Sequence, residues 1–181
     1  VRMIDQVKQS NESIVTEAQE ALSMGEILAI LRCLLREQVS IRDLPTIMEI
    51  SVSYAKVNKD PEFLCERIRE GLGRQICSEY LMDETLSAVT FHPTVEEQLV
   101  NGLHMGRIAL DPTKTKALLE NLQSTYEEMT ENGYPPVLLC SSKIRMPVRK
   151  ILERSIPQMS VLSYNEVPTS VDAQSVAMIE L

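Results

Sequence analysis

The stretch Leu86-Ser87-Ala88-Val89-Thr90-Phe91, followed at once by His92-Pro93, is where this chain changes character. Its β-forming residues read as a strand. Pro93 then opens a helix, since the first helical turn has no use for the N–H that proline lacks. Val95, Leu99 and Leu103 follow at helical spacing. Asp111-Pro112 gives the same start signal for a longer helix, with Ala117, Leu118, Leu122 and Met129 facing inward and Gly133 closing it. Pro136–Cys140 is a short apolar run bounded by Pro and Ser, the pattern of a buried strand. Lys143–Ser155 reads as a helix with Ile144, Val148, Ile151 and Leu152 inward, and Ser160–Tyr164 and Gln174–Ile179 as two further strands. Strands alternating with helices in this order predict a small α/β layer.

Upstream of Leu86 the period is helical. Residues 2–21 read as one or two polar, loosely amphipathic helices. Ser23-Met24-Gly25-Glu26 fits a capping box. Behind it Ile27, Leu28, Ile30, Leu31, Leu34 and Leu35 make a broad apolar stripe, predicting a helix over 24–37. Val39 and Ile41 alternate with Ser40 and Arg42 as a short extended insert. Asp43 caps the next helix, with Pro45 in its first turn and Ile47, Met48, Ile50 and Tyr54 inward. Asp60-Pro61 starts a third long helix through Phe63, Leu64, Ile68, Leu72 and Ile76 to about Tyr80, in which Gly71 and Gly73 permit close packing or mark a break. The expected fold class is therefore α+β: a helical N-terminal subdomain, residues 1–82, followed by a small α/β subdomain with a short sheet, residues 83–181.

Composition narrows the function. Hydrophobic residues make up 44% of the 181, enough for a core without staples, while aromatics are 4% with no Trp. Net charge is −8, which disfavours a nucleic-acid partner, because that binding rests on cations neutralising phosphates. Residues 81–142 carry nine acidic and three basic side chains, whereas 143–181 carry four and five. Cys33, Cys65, Cys77 and Cys140 show no CxxC spacing and read as reduced thiols in apolar surroundings. No apolar run approaches the length of a membrane span, and a start at Val1 suggests a piece of a longer protein.

A search for chemistry returns little. His92 and His104 have no ligand partners at metal spacing, so no metal or other cofactor is expected. There is no GxSxG elbow and no phosphate-cradling loop, and Ser141-Ser142-Lys143 reads as the solvated start of a helix. A small α/β enzyme using the crevice after Cys140 would have only Ser141 and Ser142 there. A winged-helix-like DNA-binding module is the remote alternative for the first half. Its recognition helix would lie after Asp43, where no Lys or Arg occurs between Leu44 and Ala55. Two charged features stand out. Arg36, Glu37, Arg42 and Asp43 surround a short apolar turn between helices and are candidates for a subunit interface, against intrachain capping and pairing. Lys143, Arg145, Arg149, Lys150 and Arg154 form a basic helix face, a candidate for contact with an acidic neighbour or cargo, against an ordinary surface helix; its i,i+4 like-charge pairs carry a small cost.

Leu34-Leu35-Arg36-Glu37-Gln38-Val39-Ser40-Ile41-Arg42-Asp43-Leu44 closely resembles the signature of the flagellar export-gate family and its injectisome relatives. Lys59-Asp60-Pro61, Leu72-Gly73-Arg74-Gln75-Ile76, Leu110-Asp111-Pro112, Pro135–Leu139 and Pro157–Pro168 follow in family order, so the resemblance covers about residues 22–180. It implies the last two of four cytoplasmic subdomains of a protein anchored in the bacterial inner membrane by an upstream region, on whose cytoplasmic face it works. It further implies a ring of nine copies, contact with other export-apparatus proteins, docking of chaperone–substrate complexes, no nucleic acid and no catalytic residue. A flagellar setting is favoured, with a virulence injectisome as the alternative.

Overall fold

The computed structural model describes residues 12–181. The part of the expected first helices that falls within residues 2–11 lies outside them. The described chain forms two compact units whose boundary falls between Ile76 and Cys77.

The first unit is helical: α1 (Glu12–Ala21), α2 (Met24–Arg36), α3 (Leu44–Ala55) and α4 (Pro61–Gly71), with α5 (Gly73–Ser78) carrying the chain across the boundary. The capping box is present, with Glu26 N–H donating to Ser23 Oγ at 3.3 Å and Ser23 N–H donating to the Glu26 carboxylate at 2.7 Å. Asp43 and Asp60 each take a backbone N–H, from Thr46 and Phe63 at 3.3 and 2.9 Å. Their prolines follow inside the first turn. Ile27, Ile30 and Leu34 of α2 are buried, as are Leu44, Ile47 and Met48 of α3 and Leu64, Cys65 and Ile68 of α4. In this unit α1 packs on α3, α2 on α4, and α3 on α4.

Three expectations need adjustment here. Tyr54 is 39% exposed rather than inward; its ring meets Phe63 edge-on at 6.3 Å between centroids. Val39–Ile41 has no ladder partner and is a coil, entered through Gln38 at φ 60°. The third long helix breaks at Leu72 between α4 and α5. Both glycine readings apply there: a Cβ on Gly71 would meet the tip of the Ile50 side chain of α3, so the glycine lets that tip lie directly against α4.

The second unit is a parallel sheet with helical crossovers. Its elements are β1 (Thr85–Phe91), α6 (Pro93–Asn101), β2 (Leu103–His104), β3 (Arg107–Ile108), α7 (Pro112–Glu131), β4 (Val137–Cys140), α8 (Arg145–Ser155), β5 (Ser160–Ser163), a 3-10 turn over Tyr164–Glu166, and β6 (Asp172–Ile179). The sheet order is β5-β4-β1-β6, all neighbours parallel, with Val89 opposite Leu138 and Val137 opposite Ser160. From β1 the chain steps outward to β4 and on to β5 through helices, then returns to the far side of β1 as β6. Right-handed crossovers in one direction put their helices on one face. Accordingly Val95, Leu99, Leu118, Leu122, Val148 and Leu152 join Val89, Phe91, Leu138 and Val161 in a single cluster. β4 is buried at all four positions, as its unbroken apolar run requires. β6 is different: only Ile179 is fully buried, and a bulge opposite Ala88/Val89 shifts its register.

The α6 helix stops at Asn101, before Leu103, which was expected to extend it. Leu103–Ile108 is a tight hairpin in which Met105 and Gly106 both have positive φ, 48° and 72°. A methionine in that left-handed position gives no turn signal of the Asn-Gly kind, which is why the hairpin is invisible in the sequence.

Candidate subunit and partner interfaces

The charged corner between α2 and α3 separates into two kinds of residue. Glu37 closes α2, its N–H turned back to Leu34 O at 3.1 Å, and its carboxylate meets the Arg69 guanidinium of α4 at 3.2 Å. Their side chains are only 6% and 3% exposed, so this is a buried ion pair. Asp43 caps α3. Arg36 and Arg42 remain exposed, Arg42 donating its backbone N–H to Ser40 Oγ at 3.4 Å. Glu37 and Asp43 thus hold the corner together, while Arg36 and Arg42 are the members of the set that present charge outward.

Arg69 was not anticipated. Its signal was available: it lies one turn after Cys65 on the buried side of α4, where a cation requires an anion. One turn back on the same two helices, Cys33 and Cys65 are hydrogen-bonding neighbours. That contact, burial and the charge of nearby Glu37 and Glu66 push the Cys65 thiol far above its ordinary value. It is an inert core thiol.

The basic face of α8 is also divided. Lys143, Lys150 and Arg154 are exposed. Arg145 is fully buried, donating from Nη1 to Val161 O at 3.2 Å. Arg149 is half-buried and donates to Pro157 O and Met159 O at 3.2 and 3.0 Å. The i,i+4 spacing that repels on an open helix here aims two planar donors at the carbonyls leading into β5. Arg145 therefore contributes no charge to the surface of its unit, a correction to the reading of a five-residue basic face.

The carboxyl ends of β1, β4 and β5 bring together more polar groups than Ser141 and Ser142. Glu96 of α6 accepts the Ser141 N–H at 2.6 Å, and Asn165 reaches Ser142 Oγ at 3.5 Å. Desolvation, then the charge of Glu96, then Cys140 raise the Tyr164 phenol above its usual value. The Glu96 contact fixes the turn ahead of α8, whose own N-cap, Ile144, offers no side-chain acceptor. Among the described residues no group of three His, Cys, Asp or Glu side chains could hold a metal, and no helix is long and apolar enough to cross a membrane.

The order of helices first and a parallel sheet second is shared with solved structures. The Chlamydia pneumoniae CdsV protein shares it at a TM-score of 0.92 and 28% identity, over 99% of this chain and 53% of that one. So does the nonameric EscV cytosolic domain from the type III secretion system, at 0.83 and 30%, over 98% and 54%. Residues 1–172 match the FHIPEP family model, and the chain belongs to the FHIPEP family. The flagellar biosynthesis protein FlhA of Bacillus subtilis is 33% identical over 99% of this chain. The chain spans 28% of that relative's length and about half of the two solved chains. The resemblance read from the Leu34–Leu44 signature is to this family.

Proposed function

We propose that this chain is part of the cytoplasmic region of the gate protein in a bacterial flagellar-type protein export apparatus, where copies associate into a ring and receive chaperone–substrate complexes. The observation that carries this reading is the family match across residues 1–172, joined to a fold shared with a cytosolic domain solved as a nonamer. A role in docking rather than turnover accords with the layout of the charged groups. The buried ones brace helices and strand ends; the outward ones, Arg36 and Arg42 in the first unit and Lys143, Lys150 and Arg154 in the second, stand on its surface. In this reading Arg36 and Arg42 contribute to subunit contacts, while the α8 cations meet an acidic partner.

The test is native mass spectrometry of the whole cytoplasmic region, wild type and Arg42→Glu, beside export measured in cells carrying the same change. The expected result is a nine-copy species that loses occupancy in the variant, with export reduced. Normal assembly and export by the variant would remove Arg42 from the interface, and a strictly monomeric wild-type region would remove the ring. The likeness to EscV supports a second setting, a virulence injectisome. Deleting the gene separates the two: loss of filaments marks the first, loss of effector secretion with filaments intact the second.

A further inference from the structure

The four cysteines are divided between the two units, and two of them meet. Cys77 and Cys140 are buried in the second unit, where a free thiol packs as a small apolar group. In the first unit Cys33 of α2 and Cys65 of α4 are hydrogen-bonding neighbours. The helical repeat places them together independently. Residues four apart share one side of a helix. Cys33 lies four before Glu37 and Cys65 four before Arg69, and Glu37 and Arg69 touch at 3.2 Å. The two contacts are successive rungs of the seam along which α2 packs on α4.

The two thiols differ in access. Cys65 is fully buried, whereas Cys33 is half-buried and is the one cysteine of the four that the fold does not enclose. The hydrogen bond favours the protonated form of Cys65, so its S–H donates and Cys33 Sγ accepts. One sulfur is open to a small solute, and the other stands behind it with its proton in place.

We infer that Cys33 and Cys65 form an oxidisable dithiol, which takes hydrogen peroxide as its oxidant and closes to a disulfide tying α2 to α4. Half-burial of Cys33 favours so small an oxidant over a bulky disulfide reagent. In the first step the Cys33 sulfur, as thiolate, attacks one peroxide oxygen. The O–O bond breaks, the departing hydroxide takes up the thiol proton as water, and Cys33 is left as a sulfenic acid. In the second step the Cys65 sulfur attacks the Cys33 sulfur. The S–O bond breaks, and the leaving hydroxide takes the Cys65 proton as a second water. The pair of thiols loses two electrons and the peroxide gains them. The burial that makes Cys65 inert toward solvent does not oppose this step, because its proton leaves with the hydroxide and no free thiolate has to persist in the core. The product is a covalent rung beside the Glu37–Arg69 pair. It closes a loop of about thirty residues and so removes chain entropy from the unfolded unit.

The test treats the 181-residue chain with hydrogen peroxide, blocks the remaining thiols with N-ethylmaleimide, and reads intact mass and a peptide map. The expected result is the joint loss of two of the four thiols, restored by dithiothreitol. A linked Cys33–Cys65 peptide should form about tenfold faster than Cys77 or Cys140 is consumed. The far-UV melt of the oxidised protein should rise by about 10 °C or more. In Cys65→Ala, oxidation should stop at the sulfenic acid, trapped on Cys33 by dimedone; if that variant does not fold, the wild-type peptide map decides alone. Oxidation of Cys33 with no link to Cys65 overturns the inference, as does a dimer joined through Cys33. Loss of all four thiols at one rate, no loss at all, or a link that leaves the melt unmoved overturns it as well. These outcomes are independent of the ring reading, which none of them touches.

Discussion

Removing the Arg69 guanidinium is the sharpest test of how the first unit holds together. Glu37 and Arg69 are 3.2 Å apart with side chains 6% and 3% exposed, so solvent screens the pair little. In Arg69→Met the carboxylate keeps its burial and loses this cation. Breaking one side of a buried pair costs about 3–5 kcal/mol, most of it the uncompensated charge. A domain holds only about 5–15 kcal/mol in total, so much of the unit's stability goes. At roughly 4–8 °C per kcal/mol for a unit of this size, the helical melt falls by 12 °C or more. The double variant Glu37→Met/Arg69→Met replaces both charges with flexible apolar chains and recovers most of the loss, because well-packed apolar substitutes for a buried pair are close to neutral. Urea melts of both variants followed by far-UV circular dichroism at 222 nm give the two differences directly. A single variant within about 1 kcal/mol of wild type, or a double variant no better than the single, would refute the claim that this pair is dry and braces α2 against α4.

Two smaller perturbations follow from named contacts. Ser23→Ala removes the N-cap of α2 and is expected to cost about 1 kcal/mol in the same melts. The Ser23 backbone N–H and then its hydroxyl hold the Glu26 carboxyl below its ordinary value; alanine keeps the first and loses the second, and the hydroxyl's contribution is present above the unfolded carboxylate pKa and lost as pH falls through the lower folded one. The gap between variant and wild type should therefore narrow in acid, and a gap that widened would refute the assignment. Glu96→Gln removes one of the charges that raise Tyr164, so ultraviolet titration of the phenol should show its midpoint shifting down; an unmoved midpoint would place the carboxylate elsewhere.

Most of the fold was legible because its signals are local. Asp or Ser caps followed by Pro or Glu located the starts of α2, α3, α4 and α7, and unbroken or alternating apolar runs located β1, β4 and β5. The order of strands in the sheet was not legible, since β6 pairs across the whole unit with β1 and nothing in its own eight residues names that partner. The hairpin at Met105 escaped because its turn uses an atypical residue. The charged corners were found as positions but not as states. Sequence placed Glu37, Arg145 and Arg149 correctly on helix ends and faces, yet whether each faces water or a carbonyl depends on Arg69, Val161, Pro157 and Met159, residues brought near by tertiary packing. A groove between α7 and the C-terminal end of α8 was invisible for the same reason, being made by α7, α8 and the Leu110 segment together.

The pairing of Thr85 with Asp172 has a kinetic corollary. Loop-closure entropy must be met before such a distant contact returns any energy, and folding slows as sequence separation in the contact map grows. The helical half, joined by near neighbours, is ready early; β1 stays an open edge until the last strand arrives. During that interval Phe91, destined for the core, has one flank uncovered, and a parallel sheet lacking its outer strand is a template for any passing extended segment. The slow closing of that one edge sets how long a newly made copy stays open to such pairing.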